Sequence, residues 1–203
     1  MVTMLVDHIG YVFFPDQIIF RIIGRVALPL YTFGIAQGYK YTRSFKKYII
    51  RLFIIACVSQ IPYMFLFLTK ELNIIFTFIT SLLLLKFMDT VKGGPLVKIL
   101  IAIAGSIFLQ VNGFEYGAYA FLLLLVYHYQ QSMLFRHNVL NFAYVLVKSN
   151  IVYLIQFFSI IPTLLIKYTR NIRLTGKARY FYLVFYPLHI TILLLIYMFL
   201  LNQ

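Results

Sequence analysis

Residues 120–127 read AFLLLLVY and residues 81–87 read SLLLLKF. Neither run alternates apolar with polar residues, as a strand of a membrane β-barrel would. Both sit in longer apolar segments, and apolar segments of about 17–25 residues cross a bilayer core as helices. Lipid offers no water to satisfy an open backbone, so such a run is helical. These segments recur along the whole chain. The fold class they predict is all-α: one polytopic integral membrane bundle of about nine transmembrane helices over residues 1–203, with its N-terminus in the cytoplasm.

Composition points the same way. The chain has 203 residues, is 63% hydrophobic and only 11% charged, and has a mean hydropathy of +0.91. A soluble domain of that size has no means of hiding so much apolar surface. Cys57 is the single cysteine, which rules out a disulfide framework and a thiolate metal site. It is expected to pack in the core. The N-terminus lacks a basic region and a small-residue cleavage site, so it does not read as a cleavable signal.

The predicted spans are 1–14, 18–39, 47–68, 72–88, 95–111, 116–131, 136–148, 150–167 and 180–201. Turn chemistry separates them: Pro15-Asp16, Lys70-Glu71, Gly93-Gly94-Pro95, Asn112-Gly113, Arg136-His137 and Ser149-Asn150. The 136–148 segment also reads as a re-entrant or interfacial piece. Pro187 and His189, with Tyr186, are placed near the start of the last span, where proline suits a helix beginning.

The net charge of +13 need not mean nucleic acid. Alternate loops hold fourteen Lys and Arg, five of them between Lys40 and Arg51, against two in the opposite loops. That asymmetry is the positive-inside pattern of a membrane protein. It assigns the loop cations to topology and to contact with anionic lipid.

Charges inside the spans are costly, about 2.5–3.5 kcal/mol each near the bilayer centre. Asp7, His8, Arg21, Arg25 and Glu115 are therefore candidate functional residues. Arg21 and Arg25 are four apart and share a helix face. An Asp7–Arg25 ion pair is the simplest way to offset two charges, with Arg21 snorkelling outward. His8 is then free to face a cavity, where a neutral imidazole serves as base or nucleophile, or it simply bonds across helices. Pro29 should kink the second span and free a carbonyl. Gly34 and Gly38 form a small-xxx-small pair beside Gln37 that permits close approach. Glu115 and Tyr116 lie between glycines at a helix start, where a carboxylate is favoured by the dipole. His128 and His137 read as too far apart and too interfacial to be ligands. There is no phosphate loop, nucleophile elbow or metal-ligand pattern.

The runs MLVDHIGYVFFP, RIIGRVALPLYTFGIAQGYKYTR, YIIRLFIIACVSQIPY, LNIIF, EYGAY and YFYLVFYPLHI together resemble the TraX family over nearly the whole chain. Its namesake is a conjugation protein that acetylates the N-terminus of pilin. Members usually carry several more residues before the Asp-His pair. The family is similar in fold to the acyltransferase-3 and heparan-glucosaminide N-acetyltransferase group, in which an early membrane His acts in acetyl transfer. The resemblance implies an acetyltransferase of the bacterial cytoplasmic membrane. It implies His8, with Asp7 and Arg25, as the catalytic group. Acetyl-CoA from the cytoplasm would be the co-substrate and an exported peptide, pilin or polymer the acceptor.

The sequence then offers Arg21, Gly34, Gln37, Gly38, Lys40, Arg43, Lys47 and Arg51 for the donor, since Arg and Lys bind phosphate well. Glu115, Tyr116, Tyr186 and His189 are second-tier candidates near substrate. No metal is expected, and oligomeric state is open. The rival reading is a small secondary transporter that uses Asp7, His8 and Arg25 as a proton or substrate relay.

Overall fold

The computed structural model describes residues 1–168 and 176–201; for Ile151 and residues 176–183 the description is of the backbone. The helices are α1 (Val2–Phe13), α2 (Ile18–Gly24), α3 (Ala27–Tyr41), α4 (Phe45–Phe67), α5 (Ile74–Thr90), α6 (Pro95–Val111), α7 (Gly117–Tyr129) and α8 (Met133–Lys148). A 3₁₀ segment (Ile151–Ser159) leads into α9 (Ile160–Tyr168), and α10 (Gly176–Leu201) closes the bundle. Among the described residues there is no strand, only an isolated bridge between Leu72 and Phe114. Among the described residues three helical stretches are long and apolar enough to cross a membrane: Ile18–Tyr41 (α2 and α3 together), Phe45–Phe67 and Val184–Leu201. Val2–Phe13, Pro95–Val111, Gly117–Tyr129 and Val152–Tyr168 are shorter apolar helices, and the predicted 72–88 and 136–148 spans fall on α5 and α8. Arg170 and Arg173 of the last basic run lie outside the described residues, as do the side chains of Lys177 and Arg179.

Local chemistry sets the boundaries. Ser44 caps α4 by accepting from the Lys47 N–H, and Asn73 caps α5 by accepting from the Ile75 N–H. Pro95 starts α6, where its missing N–H costs nothing. The expected kink from Pro29 is present, but it falls at Arg25–Val26, between α2 and α3. Pro29 has no N–H to give the carbonyl four residues back, and that carbonyl belongs to Arg25. Pro162 has the same relation to Phe158, and there the chain changes from the 3₁₀ segment to α9. A 3₁₀ run of nine residues is long for its kind.

The two quoted runs become the two central helices. SLLLLKF lies in α5 and AFLLLLVY in α7. Leu82, Leu85, Phe121, Leu123, Leu124 and Tyr127 are fully buried. A helix apolar all round belongs in the interior, and α3, α5, α6 and α8 all pack on α7. Outside this centre, α10 packs along α4.

Cys57 corrects an expectation. It is exposed on the outer face of α4. The inward face is Leu52, Ala56, Ser59, Tyr63 and Leu66, and one residue beyond Ala56 turns about 100° away from it.

The ends of α3, α5 and α7 meet the start of α4 at one end of the bundle. The Tyr39 hydroxyl donates to Asp89 Oδ2 at 2.7 Å, and the Tyr39 ring packs on Phe45 and His128.

Candidate functional site

The first two helices form a hairpin closed on glycine. A side chain at Gly10 would collide with Phe20, and one at Gly24 with Asp7. This contact sets the first correction. Arg21, not Arg25, pairs with Asp7: its Nη1 donates to Oδ1 at 2.7 Å. Arg21 also lies over the Tyr11 ring, 5.2 Å from its centroid. Arg25 sits at the helix break, and its Nη1 donates to Gln156 Oε1 at 3.1 Å. Its Nε is buried with no hydrogen-bond partner among the described residues. The paired carboxylate is thus committed elsewhere. Arg25, 8% exposed, keeps its positive charge against a neutral amide.

His8 meets His189. The rings stack with centroids 5.0 Å apart, and His8 Nδ1 lies 2.9 Å from His189 Nε2. Phe67 closes on His8 edge-to-face at 4.9 Å. Hydrogen positions follow from the partners. His189 Nδ1 is 2.6 Å from the Phe185 carbonyl, which only accepts, so Nδ1 carries the hydrogen. In neutral His189 the Nε2 is then an acceptor, and His8 donates to it from Nδ1. The remaining nitrogen of His8, Nε2, is left with its lone pair and no partner among the described residues.

Tyr186, Pro187 and His189 are not at a helix start. They lie in the middle of α10, with Pro187 inside the helix and Tyr186 and His189 buried. The sequence run before Tyr180 looked like a loop because it is basic, but the helix already begins at Gly176. The pairing of His8 with His189 spans 181 residues, and no local signal reports it.

His137 is a further correction. It is fully buried, not interfacial, and centres a polar network joining α7, α8, the 3₁₀ segment and α9. Its Nδ1 lies 2.6 Å from Thr163 Oγ1, which lies 2.7 Å from the Tyr127 hydroxyl. Its Nε2 lies 3.1 Å from the Tyr119 hydroxyl and from Ser159 Oγ. Tyr119 donates to Asn141 Oδ1 at 2.6 Å and accepts from Gln156 Nε2 at 2.9 Å. Gln156 therefore links this network to Arg25. The signal available in sequence was polar spacing: Ser159 and Thr163, like His137 and Asn141, are four apart.

Glu115 caps a helix, though not its own. Its Oε2 accepts from the Ile74 N–H at 2.7 Å, at the start of α5. Burial pushes the Glu115 carboxyl, in the α6–α7 connection, up to about 8. Tyr116 is the N-cap of α7 with φ of 58°, a left-handed conformation.

The donor-side candidates are elsewhere. Lys40, Arg43 and Lys47 are exposed around the α3–α4 turn, with Arg51 half-buried behind them. Fifteen residues separate Arg25 from Lys40, roughly 22 Å along the helix. On the face between them Gly34 fronts open space, whereas Gly38 is covered by the Tyr48 hydroxyl. Gln37 is half-buried. The structure gathers Asp7, His8, Arg21, Arg25 and His189, and leaves the loop cations at the other end. Among the described residues no three His, Cys, Asp or Glu side chains are grouped to hold a metal.

Fold and site together define an all-helical membrane protein with a buried histidine pair beside two arginines. Residues 1–197 match the TraX protein family, and the chain belongs to it. It is 25% identical over 230 residues to a probable fimbrial assembly protein, FimC of serogroup H1, from Dichelobacter nodosus, covering 95% of this chain and 90% of that protein. No solved structure matches significantly.

Proposed function

We propose that this protein is a membrane acyltransferase that moves acetyl from acetyl-CoA to an exported peptide, pilin or other polymer, with His8 Nε2 as the reacting nitrogen. The observation that carries the reading is the tautomer chain: the Phe185 carbonyl orients His189, and His189 orients His8. It leaves a base with an open lone pair in a site that largely excludes water. The namesake of the family, a pilin acetylase, and a relative named for fimbrial assembly agree with an exported protein acceptor.

In this reading His8 Nε2 takes a proton from the acceptor amine or hydroxyl as that group attacks the thioester carbonyl. The carbon–sulfur bond then breaks, and the proton returns to the departing thiolate. Alternatively Nε2 itself attacks and carries the acetyl for one step. Arg25, bonded to a neutral amide and with its Nε unpartnered among the described residues, stabilises the oxyanion that forms. Asp7 holds Arg21 and rigidifies the hairpin. The exposed cations at Lys40, Arg43 and Lys47 bind the phosphates of CoA, and its long arm covers the distance past Gly34.

Transfer of labelled acetyl from acetyl-CoA by the purified protein tests this. Activity that is lost in His8→Ala, with folding retained, supports it; a fully active His8→Ala overturns the assignment.

A second reading, secondary transport, is favoured by one observation. The broken helix at Arg25 and the 3₁₀-to-α segment containing Gln156 touch each other through those two side chains. Transporters build substrate sites from such interrupted helices. Protection of the protein from heat by CoA would decide for the transferase.

A further inference from the structure

A second site lies at the opposite end of the bundle from His8. α6 and α8 both pack on α7 and leave a groove of about 560 Å³ between them, floored by Met88 of α5. Its walls run from Pro95 to Ala102 on α6, from Leu122 to Tyr129 on α7 and from Arg136 to Ala143 on α8. Each wall spans eight residues, or seven helical rises, so the groove follows the three helices for roughly 10 Å.

The groove is polarised. Lys98 and Arg136 stand toward one end, near the starts of α6 and α8. The far end is Ala102, Leu122 and Ala143, two of them small enough to leave room. The chain has five Asp and Glu side chains, and among the described residues none forms an ion pair with Lys98 or Arg136: Asp7 is bound to Arg21 and Asp89 lies by His128. The cationic end belongs to the side that the charge asymmetry assigns to the cytoplasm, where anionic lipids concentrate.

We propose that this groove is a binding site for one anionic phospholipid, its phosphate on Lys98 and Arg136 and one acyl chain laid along Ala102, Leu122 and Ala143. Two cations beside a slot without an acid fit a phosphate. A slot otherwise lined by alkyl and aromatic side chains fits a hydrocarbon tail. A soluble anion would leave the apolar part unfilled, and a neutral lipid would leave the cations unmatched.

The test is native mass spectrometry of the full chain, delipidated and then offered equal phosphatidylglycerol and phosphatidylcholine in mixed micelles. The wild type should retain one phosphatidylglycerol in preference to phosphatidylcholine by roughly thirtyfold, the effect of two interfacial cations at about 1 kcal/mol each. Lys98→Gln with Arg136→Gln should abolish the preference. Ala143→Phe, which fills the groove and keeps both cations, should lose the bound lipid as well. Thermal unfolding of each variant shows that it is folded. Equal retention of the two lipids by the wild type overturns the proposal. So does an undiminished preference in either folded variant, or displacement of the lipid by free CoA.

Discussion

Two buried polar clusters share this bundle and treat their atoms differently. Around His137 both ring nitrogens are engaged, Asn141 uses its oxygen and its nitrogen, and Tyr127, Ser159 and Thr163 all have partners. Around His8 the bonding stops short: His8 Nε2 and Arg25 Nε have no partner among the described residues. A fully connected network in a low-dielectric interior fixes packing and specifies one arrangement of helices. A cluster with an open lone pair and an open cation bears the cost of unmet groups, and such cost is expected where chemistry is done. Spare bonding capacity, more than the presence of histidine, separates the two.

The sharpest way to break this comparison is to remove each histidine in turn. His8→Ala should lower acetyl transfer at least about 100-fold, the lower range for a lost general base, with little change in unfolding midpoint. His137→Ala should do the reverse. It takes one partner each from Thr163, Tyr119 and Ser159 and leaves a buried gap, and should cost about 1–3 kcal/mol of stability, while transfer per folded molecule stays within about threefold. Equal losses of activity in the two variants would erase the distinction.

Next in size is His189. His189→Leu removes the acceptor that sets the tautomer of His8, and should cost roughly tenfold in kcat with KM little changed. His189→Gln, whose amide oxygen can stand near the position of Nε2, should recover most of that loss. A structural role alone would not be rescued in this way. Gln156 links the two clusters, so a double-mutant cycle between Arg25→Gln and Gln156→Leu should give a coupling of about 0.5–3 kcal/mol in transition-state stabilisation. A coupling near zero would show that the His137 network does not support Arg25.

The smallest effect concerns pH. Glu115 has its pKa raised in the fold, from 4.5 to about 8. The protonated form is favoured by folding, so its contribution is full below about 4.5 and is lost as pH rises through about 8. Unfolding midpoints of the wild type should fall across that window, and Glu115→Gln should flatten the fall. An unchanged slope in that variant assigns the pH dependence to other groups.

Much of the architecture was legible without coordinates. The uninterrupted leucines of α5 and α7 announced helices, and Pro29 announced a broken one. The intramembrane charges Asp7, Arg21 and Arg25, and the adjacent His8, stood out because lipid makes them expensive. The partners were not legible. Asp7 was expected to take Arg25, but the hairpin closes at Gly10 and Gly24 and brings Arg21 to the carboxylate instead. In sequence His137 reads as interfacial, at the turn-like Arg136-His137 separator. Its burial comes from α9 and the 3₁₀ segment covering it, more than ten residues later in the chain.

The sequence alone determined that this chain is a helical membrane bundle of the TraX family, in which loops the cations cluster, and which charges fall in apolar segments. Only the tertiary structure decided that His8 lies against His189 and which nitrogen is left free. It also decided that Arg25 is held by Gln156, and that α6 and α8 stand apart to leave a groove. The physical reason is a matter of range. Helical periodicity fixes which residues share a face of one helix, but which helix that face meets depends on how all the others pack around it.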